Sequence, residues 1–225
     1  MHYRRLDQLF FRHAGTAGDV IRIGNLNLQP VHSSPNVYVI DHFLKPSEVA
    51  HLTKMIEKKP RFHKSFVGED SHIESSQRTS TFLSIAKQQD STISAIETKA
   101  SSLLGCFSTQ NVEPLQLVRY LPGQFFGVHH DLGDWDEDTD TVELPPKSLF
   151  ARRRLVTIFC YLNSVSSGGA TNFPALDVRV QPSPGRAVLF SNIRQDGLPE
   201  GKTLHAGEPP LGATKYGLNI WVCEE

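Results

Sequence analysis

The chain has 225 residues, with 23 Lys and Arg against 24 Asp and Glu, and therefore a formal net charge of -1. This length suffices for one domain with a full hydrophobic core, and a second independent domain would be cramped. The near-neutral charge generates no overall field that would steer the protein to nucleic acid or to an anionic membrane, so neither partner is expected.

The three cysteines indicate a reducing compartment. Cys106, Cys160 and Cys223 are odd in number, lie far apart and form no C-x-x-C pair, so neither a disulfide framework nor a thiolate zinc site is predicted. No stretch has the roughly 18 apolar residues of a membrane span, and the N-terminal charges precede no secretory signal. A cytoplasmic protein is therefore expected. The basic residues 1–15 leave a mitochondrial presequence as the alternative, against which Asp7 and the scarcity of Ser argue.

The first part of the chain predicts an extension followed by a strand and two helices. Residues 1–35 show no sustained period and end in a turn, which predicts an extension that packs on the domain or is partly disordered. The domain itself is placed at residues 36–225. It begins with a strand in VYVIDHF, and Ser47 is the predicted N-cap of a helix over SEVAHLTKMIEKK. A second helix is predicted from about Ser91 to Leu104, with strand and loop between the helices.

From Leu115 onward the chain consists of short apolar strands separated by Gly, Pro and Asn. The predicted strands are LQLVRYL, FFGVHHD, RLVTIFCYLN, RVQPSPGRAVLFSN and YGLNIWVCE. Strands at this spacing without crossover helices predict a mainly β fold, an antiparallel jelly roll with the helices covering one outer face. The acidic segment 132–150 is predicted to be a loop, either a lid or a solvated charged loop.

One pattern indicates a metal site. Side chains at positions i and i+2 of a strand share a face, so His129 and Asp131 point the same way and His130 points to the opposite side. Two His and one carboxylate on one face of an ion leave open positions, as in Fe(II) oxygenases. After His72 the chain offers only His129, His130 and His205, which makes His205 the natural third ligand.

Alternatives to this interpretation come from the same residues. An H-x-D with a remote His is a loose pattern, and a hydrogen-bonded His near a surface Asp would produce it too. Zinc hydrolysis also uses two His and a carboxylate, but the chain has no H-E-x-x-H. We find no Ser or Cys nucleophile motif and no Gly-rich phosphate loop.

Beyond this pattern, the chain from Val37 to Val222 resembles the prolyl 4-hydroxylases, in the collagen, plant and microbial branch of the 2-oxoglutarate dioxygenases. The stretches that carry the resemblance are VYVIDHFLKPSEVAHL, RTSTFL, EPLQLVRYLPGQFFGVHHD, RRLVTIFCYLNSVSSGGATNFP, VQPSPGRAVLFSN and LHAGEPPLGATKYGLNIW. The resemblance implies a double-stranded β-helix with helical buttressing. It also implies Fe(II), with 2-oxoglutarate and O2 as cosubstrates, and adds ascorbate as a candidate cofactor.

The resemblance further implies a role for each matching residue. Iron ligands are implied at His129, Asp131 and His205. Lys215, ten residues after His205, resembles the cation that pairs with the C5 carboxylate of 2-oxoglutarate, where the oxygen-sensing prolyl hydroxylases and the lysyl hydroxylases use Arg. Implied partners of 2-oxoglutarate are Tyr120, Thr171 and the pocket-lining Trp221, and implied substrate-side residues are Arg78, Ser80, Glu113 and Arg154.

Two positions depart from the family pattern. Phe126 stands where the family often has a Tyr in contact with the cosubstrate, and Cys223 stands where some close relatives have His. The function predicted from the resemblance is hydroxylation of a prolyl residue in a peptide or protein. The alternatives are the same iron chemistry on a lysyl residue, a free amino acid or an alkylated base, and a catalytically silent jelly-roll binding module.

Overall fold

The computed structural model describes residues 4–11, 19–58, 61–64, 77–105, 108–136, 138–139, 141–143 and 152–224. Cys106, the segment 65–76 and residues 144–150 of the predicted 132–150 loop lie outside this part of the chain. The helices are α1 (Arg4–Leu6), which continues into a π-helical turn (Asp7–Phe11), α2 (Pro46–Glu57) and α3 (Ser91–Leu104), with 3-10 turns at Thr109–Asn111, Pro174–Leu176 and Gly201–Thr203.

The described residues form seventeen strands. In chain order they are β1 (Ile21–Ile23), β2 (Leu26–Ser33), β3 (Asn36–Ile40), β4 (His63–Lys64), β5 (Thr81–Ser84), β6 (Gln116–Tyr120), β7 (Phe126–His129), β8 (Asp134–Asp136), β9 (Thr141–Glu143), β10 (Arg154–Tyr161), β11 (Ser167–Gly168), β12 (Thr171–Phe173), β13 (Val178–Val180), β14 (Ala187–Ser191), β15 (His205–Gly207), β16 (Pro210–Leu211) and β17 (Lys215–Cys223).

Two antiparallel sheets face each other and form the jelly roll. The major sheet has nine strands in the order β1-β2-β3-β14-β10-β17-β6-β5-β4, and the minor sheet has four in the order β13-β12-β15-β7. Two small pairs, β11-β16 and β8-β9, stand apart from them. The predicted fold class, a mainly β double-stranded β-helix with supporting helices, is confirmed.

Alternation along the central strand β10 separates two hydrophobic cores. Val156, Ile158 and Cys160 belong to the core beneath helices α2 and α3, whereas Phe159 and Tyr161 belong to the core between the two sheets. Because successive side chains of a strand point to opposite faces, one apolar strand can contribute to both cores. The residues between the sheets are therefore the ones positioned to build a site inside the jelly roll.

The structure places the start of helix α2 earlier than predicted. Lys45 is the N-cap, and the predicted cap Ser47 already lies inside the helix. Pro46 accounts for the difference, because its fixed φ and missing N–H suit the first helical position. Glu48 then accepts a hydrogen bond from the backbone N–H of Lys45 at 2.7 Å. Its carboxylate also accepts from Lys99 of α3 at 2.6 Å, which ties the two helices together.

Helix α3 has the predicted bounds, Ser91–Leu104. The Asp90 carboxylate accepts hydrogen bonds from the backbone N–H groups of Thr92 and Ile93 at 2.9 and 3.0 Å, as an N-cap does. Gly105 ends the helix at a φ of 72°, the left-handed conformation that glycine adopts without strain. Both ends are therefore determined by local sequence.

Part of the N-terminal extension belongs to the major sheet. Strand β2 pairs with β3, and β1 pairs with β2. The sheet thus continues across the boundary predicted at residue 35, and the division into extension and domain stays a prediction. Within the part of the chain that the structure describes, no helix is long and apolar enough to cross a membrane.

Candidate active site

Strand pairing in the minor sheet brings the three predicted metal ligands together. His205 lies directly opposite His129 in the pairing of β15 with β7, and Asp131 follows two residues after His129. The candidate ligand atoms of the three side chains all lie within 4.8 Å of one another. His129 Nε2 is 3.7 Å from Asp131 Oδ1, and His205 Nε2 is 3.8 Å from Asp131 Oδ2.

Two details of this arrangement differ from the sequence prediction. His205 lies in none of the predicted strands but begins strand β15, because the antiparallel pairing with β7 continues as far as His129. The segment that follows Asp131 was predicted to be a loop, but it contains the β8-β9 hairpin from Asp134 to Glu143. The imidazoles of His129 and His205 are therefore both held by sheet backbone, which is more rigid than a loop.

Backbone carbonyls orient both imidazoles toward the centre of the triad. His129 Nδ1 donates a hydrogen bond to the Gly127 carbonyl at 2.9 Å, and His205 Nδ1 donates to the Thr203 carbonyl at 3.1 Å. A carbonyl can only accept, so Nδ1 carries the proton in each ring and Nε2 keeps its lone pair. This is the usual arrangement around metal-binding histidines.

The protonation states suit a metal site. Burial lowers the pKa of His129 well below its usual value, and the neighbouring imidazole of His205 adds to the shift. For Asp131, burial alone would raise the pKa, but both imidazoles, the Arg154 guanidinium and the Thr157 hydroxyl together lower it below the usual range. A neutral imidazole and an ionised carboxylate are the forms that bind a cation.

Aromatic rings exclude water from two sides of the triad. The Phe126 ring stacks on His129 with 3.5 Å between the centroids and 8° between the planes. The His205 ring contacts Phe190 and Phe173, at centroid distances of 4.8 and 5.6 Å. At the first departure from the family pattern, Phe126 thus supplies an apolar face for a candidate metal ligand.

His130 turns away from the triad, as the alternation predicted. Its Nε2 lies 3.3 Å from the Glu200 carbonyl, and its Nδ1 accepts a hydrogen bond from the Leu132 backbone N–H at 3.2 Å. The ring also stacks on Trp135 of the β8-β9 hairpin, with 5.6 Å between centroids. His130 therefore attaches the hairpin to the strand end that carries His129 and Asp131.

Lys215 lies between the sheets and has no anionic partner among the residues that the structure describes. It is completely buried, and its Nζ has no hydrogen-bond partner among the described residues. The rings of Tyr120, Phe159 and Tyr161 surround it, with centroids 4.9, 5.1 and 5.5 Å from Nζ. Burial lowers the pKa of Lys215 from 10.5 to about 7. An ammonium group is costly to bury unpaired, so this environment fits an incoming carboxylate.

Strand β15 connects this lysine to the triad. Gly207 pairs with Thr171 on β12, and a Cβ at Gly207 would lie only 3.0 Å from the Tyr120 hydroxyl oxygen. His205 and Gly207 are two residues apart and both face the interior, about 7 Å from each other along the strand. The triad and the group of Lys215, Tyr120 and Thr171 therefore lie next to each other along β15, between the two sheets. A short dicarboxylic acid fits such an arrangement.

The predicted substrate-side residues form two groups. Arg154 makes a bidentate ion pair with Glu113, at 2.8 and 2.9 Å, and its guanidinium lies 3.7 Å from the centroid of the Trp221 ring. Trp221 is six residues from Lys215 on β17, about 20 Å along the strand, and it pairs with Thr157 near Asp131. Trp221 thus lies at the metal end of the site.

The second group directly precedes β5, where Arg78 forms a bridge with Phe126 of β7. Arg78 Nε donates a hydrogen bond to the Ser80 hydroxyl at 3.3 Å, and its guanidinium lies over the Phe126 ring, 4.4 Å from the centroid. Ser80 is buried. At the other departure from the family pattern, the Cys223 thiol donates to Glu113 Oε1 at 3.2 Å. The peptide-binding roles of these residues stay predictions.

Two residues around the triad were not predicted. The Thr157 hydroxyl donates a hydrogen bond to Asp131 Oδ2 at 2.5 Å, and Asn192 Nδ2 donates to the Thr157 hydroxyl at 3.0 Å. One signal was available in the sequence, because Thr157 is the one threonine in the mainly apolar run RLVTIFCYL. Its partners are 26 and 35 residues away, and no local pattern indicates them.

Comparisons with known proteins agree with this geometry. The sequence model of the 2OG-Fe(II) oxygenase superfamily matches residues 115–223, a range that contains the whole triad and Lys215. Prolyl 4-hydroxylase 2 of Arabidopsis thaliana is 29% identical over 219 residues, which cover 87% of this chain and 69% of the relative. Prolyl 4-hydroxylase 1 of the same plant is 29% identical over 222 residues, covering 91% and 74%.

A solved structure shows the same relationship. The viral collagen prolyl hydroxylase of Paramecium bursaria Chlorella virus-1, in its 2-oxoglutarate complex, matches with a TM-score of 0.64 and 27% identity. The match covers 84% of this chain and 96% of that chain. Together with the triad and the buried lysine, these similarities support a prolyl 4-hydroxylase-like 2-oxoglutarate-dependent dioxygenase.

Proposed function

We propose that this enzyme hydroxylates prolyl residues in a peptide or protein. The observation that carries the proposal is that a His-Asp-His cluster and a buried lysine, whose ammonium has no hydrogen-bond partner among the described residues, lie together between the sheets. Fe(II) would be held by His129, Asp131 and His205, because two imidazoles and a carboxylate on one face leave positions for other ligands. The C5 carboxylate of 2-oxoglutarate would pair with Lys215.

The chain's own residues would bind and orient the metal and the cosubstrate, and they exclude water from the site. When bound, Fe(II) and 2-oxoglutarate supply the oxidising chemistry, in which 2-oxoglutarate is decarboxylated to succinate while one oxygen atom of O2 enters the substrate. Tyr120 and Thr171 would hold the distal end of the cosubstrate by hydrogen bonds. The rings of Phe126, Phe173 and Phe190 keep water from the two imidazoles, which protects the oxidising step from side reactions.

O2 as second cosubstrate and ascorbate as a supporting reductant are part of the proposal. Both are tested by omission, with O2 expected to be indispensable and ascorbate expected to prolong turnover. The cytoplasmic location also remains a proposal, as does the absence of nucleic-acid and membrane partners, because these rest on composition and charge alone.

A prolyl substrate is proposed because the relatives are named prolyl 4-hydroxylases and because Lys215 occupies the position of the Arg in lysyl enzymes. We propose that an extended or polyproline II peptide binds beside Arg78 and the β8-β9 hairpin, since its backbone groups stay free for hydrogen bonds. Asp134 and Asp136 of the hairpin are exposed. They would favour peptides with basic rather than acidic neighbours of the proline.

A peptide panel tests the substrate class. Proline-containing peptides with basic or acidic flanks are incubated with Fe(II), 2-oxoglutarate and air, and fragment mass spectra locate the added oxygen. We expect it on a prolyl ring, with faster turnover for basic flanks. Oxidation on lysine, or of a free amino acid without peptide turnover, would refute the prolyl assignment and leave the iron site intact.

We also expect the affinity for 2-oxoglutarate to fall as the pH rises above about 7. Below the pKa of Lys215, about 7, the ammonium is already present. Above it, the lysine is neutral and must take up a proton when a carboxylate binds, because the bound anion raises the pKa of Lys215 again. The affinity for 2-oxoglutarate then drops by up to about tenfold per pH unit. Anaerobic titration calorimetry with Mn(II) in place of Fe(II) measures this slope.

The matched control for this titration is Lys215→Arg, whose guanidinium stays charged over the whole range. Its affinity is expected to be weaker but to lack the decline above pH 7. A wild-type affinity that stays constant or rises with pH would contradict an anion pocket at Lys215.

A further inference from the structure

We propose that Thr157 is a positioning residue for Asp131, that Asn192 holds it in place, and that together they determine which carboxylate oxygen is presented to the metal. The inference rests on the proposed function in one respect only, namely that the triad binds a divalent cation. It assigns a role to Thr157 on β10 and to Asn192, which directly follows β14. Neither residue belongs to the triad.

The direction of the hydrogen bonds follows from one fixed acceptor. Asn192 Nδ2 lies 3.1 Å from the Arg154 carbonyl oxygen, which can only accept. This orients the side-chain amide, so that the same Nδ2 donates to Thr157 Oγ1 at 3.0 Å. The Thr157 hydroxyl hydrogen is then directed to its other neighbour, Asp131 Oδ2, at 2.5 Å.

As a consequence, the two carboxylate oxygens of Asp131 have different roles. Both oxygens lie near an imidazole, Oδ1 3.7 Å from His129 Nε2 and Oδ2 3.8 Å from His205 Nε2, but Oδ2 is the oxygen that accepts the short hydrogen bond from Thr157. Since the carboxylate cannot rotate without breaking the bond to Thr157, Oδ1 keeps its lone pairs for the metal. A carboxylate fixed in this way loses less conformational freedom when it binds an ion.

Burial and side-chain type make the arrangement stiff. Thr157 and Asn192 are each 1% exposed, so water does not replace a lost hydroxyl easily. Threonine is β-branched, which restricts its χ1 angle, and Phe159 lies two residues farther along on the same face of β10. Removing the hydroxyl would leave Asp131 Oδ2 charged, buried and without this donor, which is costly.

The test compares Thr157→Val with Thr157→Ser by metal binding, in the absence of 2-oxoglutarate and peptide. Valine has the shape of threonine without the hydroxyl, and serine keeps the hydroxyl. Full-length apoprotein is titrated with Mn(II) or Co(II) against a fluorescent chelator. We expect Thr157→Val to weaken binding by about 10–100-fold, as loss of a hydrogen-bonded partner of a metal ligand does, and Thr157→Ser to bind nearly as the wild type.

Two outcomes would overturn the proposal. Wild-type affinity in Thr157→Val would show that the hydroxyl does not position Asp131, and equal weakening in both variants would show that a hydroxyl at this position is not sufficient to maintain metal binding. If Thr157→Val does not fold, Asn192→Ala decides: a severalfold loss of affinity supports the proposal, and wild-type affinity contradicts it. The prolyl function can fail separately from this inference. If the wild type binds metal, His205→Ala abolishes that binding, and no peptide is oxidised, then the prolyl function is refuted and the role of Thr157 is not.

Discussion

Replacing His129, Asp131 or His205 by alanine is expected to abolish turnover. Each substitution leaves two ligands, which cannot hold Fe(II) in an open facial arrangement. Succinate release measured with saturating Fe(II) and 2-oxoglutarate should fall to background in all three variants, while their far-ultraviolet circular dichroism stays that of the wild type. Metal binding should be lost in parallel.

His130→Ala is the matched control, because this imidazole is adjacent in sequence but bonds to Glu200 and stacks on Trp135. It should retain metal binding and measurable turnover, although the hairpin loses one contact. If His130→Ala lost metal binding while His129→Ala retained it, the proposed assignment of ligands on this strand would be wrong.

The second large effect is expected for Lys215→Ala, which should raise the 2-oxoglutarate concentration required for turnover by a factor of roughly several hundred or more. Removing one partner of a buried charge pair costs about 3–5 kcal/mol, since the cosubstrate carboxylate would then be buried among rings of Tyr120, Phe159 and Tyr161. Titration of initial rates with 2-oxoglutarate measures the change.

Lys215→Arg should recover part of this loss, because the charge is restored but the longer planar guanidinium does not fit the same space. The metal affinity of both variants should remain near that of the wild type, which separates a cosubstrate defect from a metal defect. An unchanged 2-oxoglutarate requirement in Lys215→Ala would exclude Lys215 as the carboxylate partner.

Local sequence was sufficient to predict the elements whose signals are local. The bounds of α3 follow from Asp90 and Gly105, and strand β10 follows from the mainly apolar run RLVTIFCY. Helix α2 was placed too late because Ser47 is a good N-cap in isolation, while the actual start depends on Pro46 and on Glu48 reaching back to Lys45.

Features that depend on distant pairing were not predictable in the same way. The strand at His205 exists because β15 pairs with β7, in which His129 lies 76 residues earlier in the chain. The hydrogen bonds of Thr157 likewise connect β10 with Asp131 and Asn192, which are distant in sequence. The resemblance to the prolyl 4-hydroxylases supplied the roles of Lys215, Tyr120 and Thr171. The unpaired, buried state of Lys215 became visible only in the structure.

The most direct test of the central claim is the stoichiometry of succinate and hydroxylated proline for one peptide substrate. Wild-type enzyme, Fe(II), 2-oxoglutarate and O2 are combined with the best peptide of the panel, and both products are quantified in the same samples. We predict one succinate for each prolyl residue that gains oxygen, with neither product from His129→Ala. Succinate formation that no peptide increases, or oxidised proline without succinate, would contradict the account.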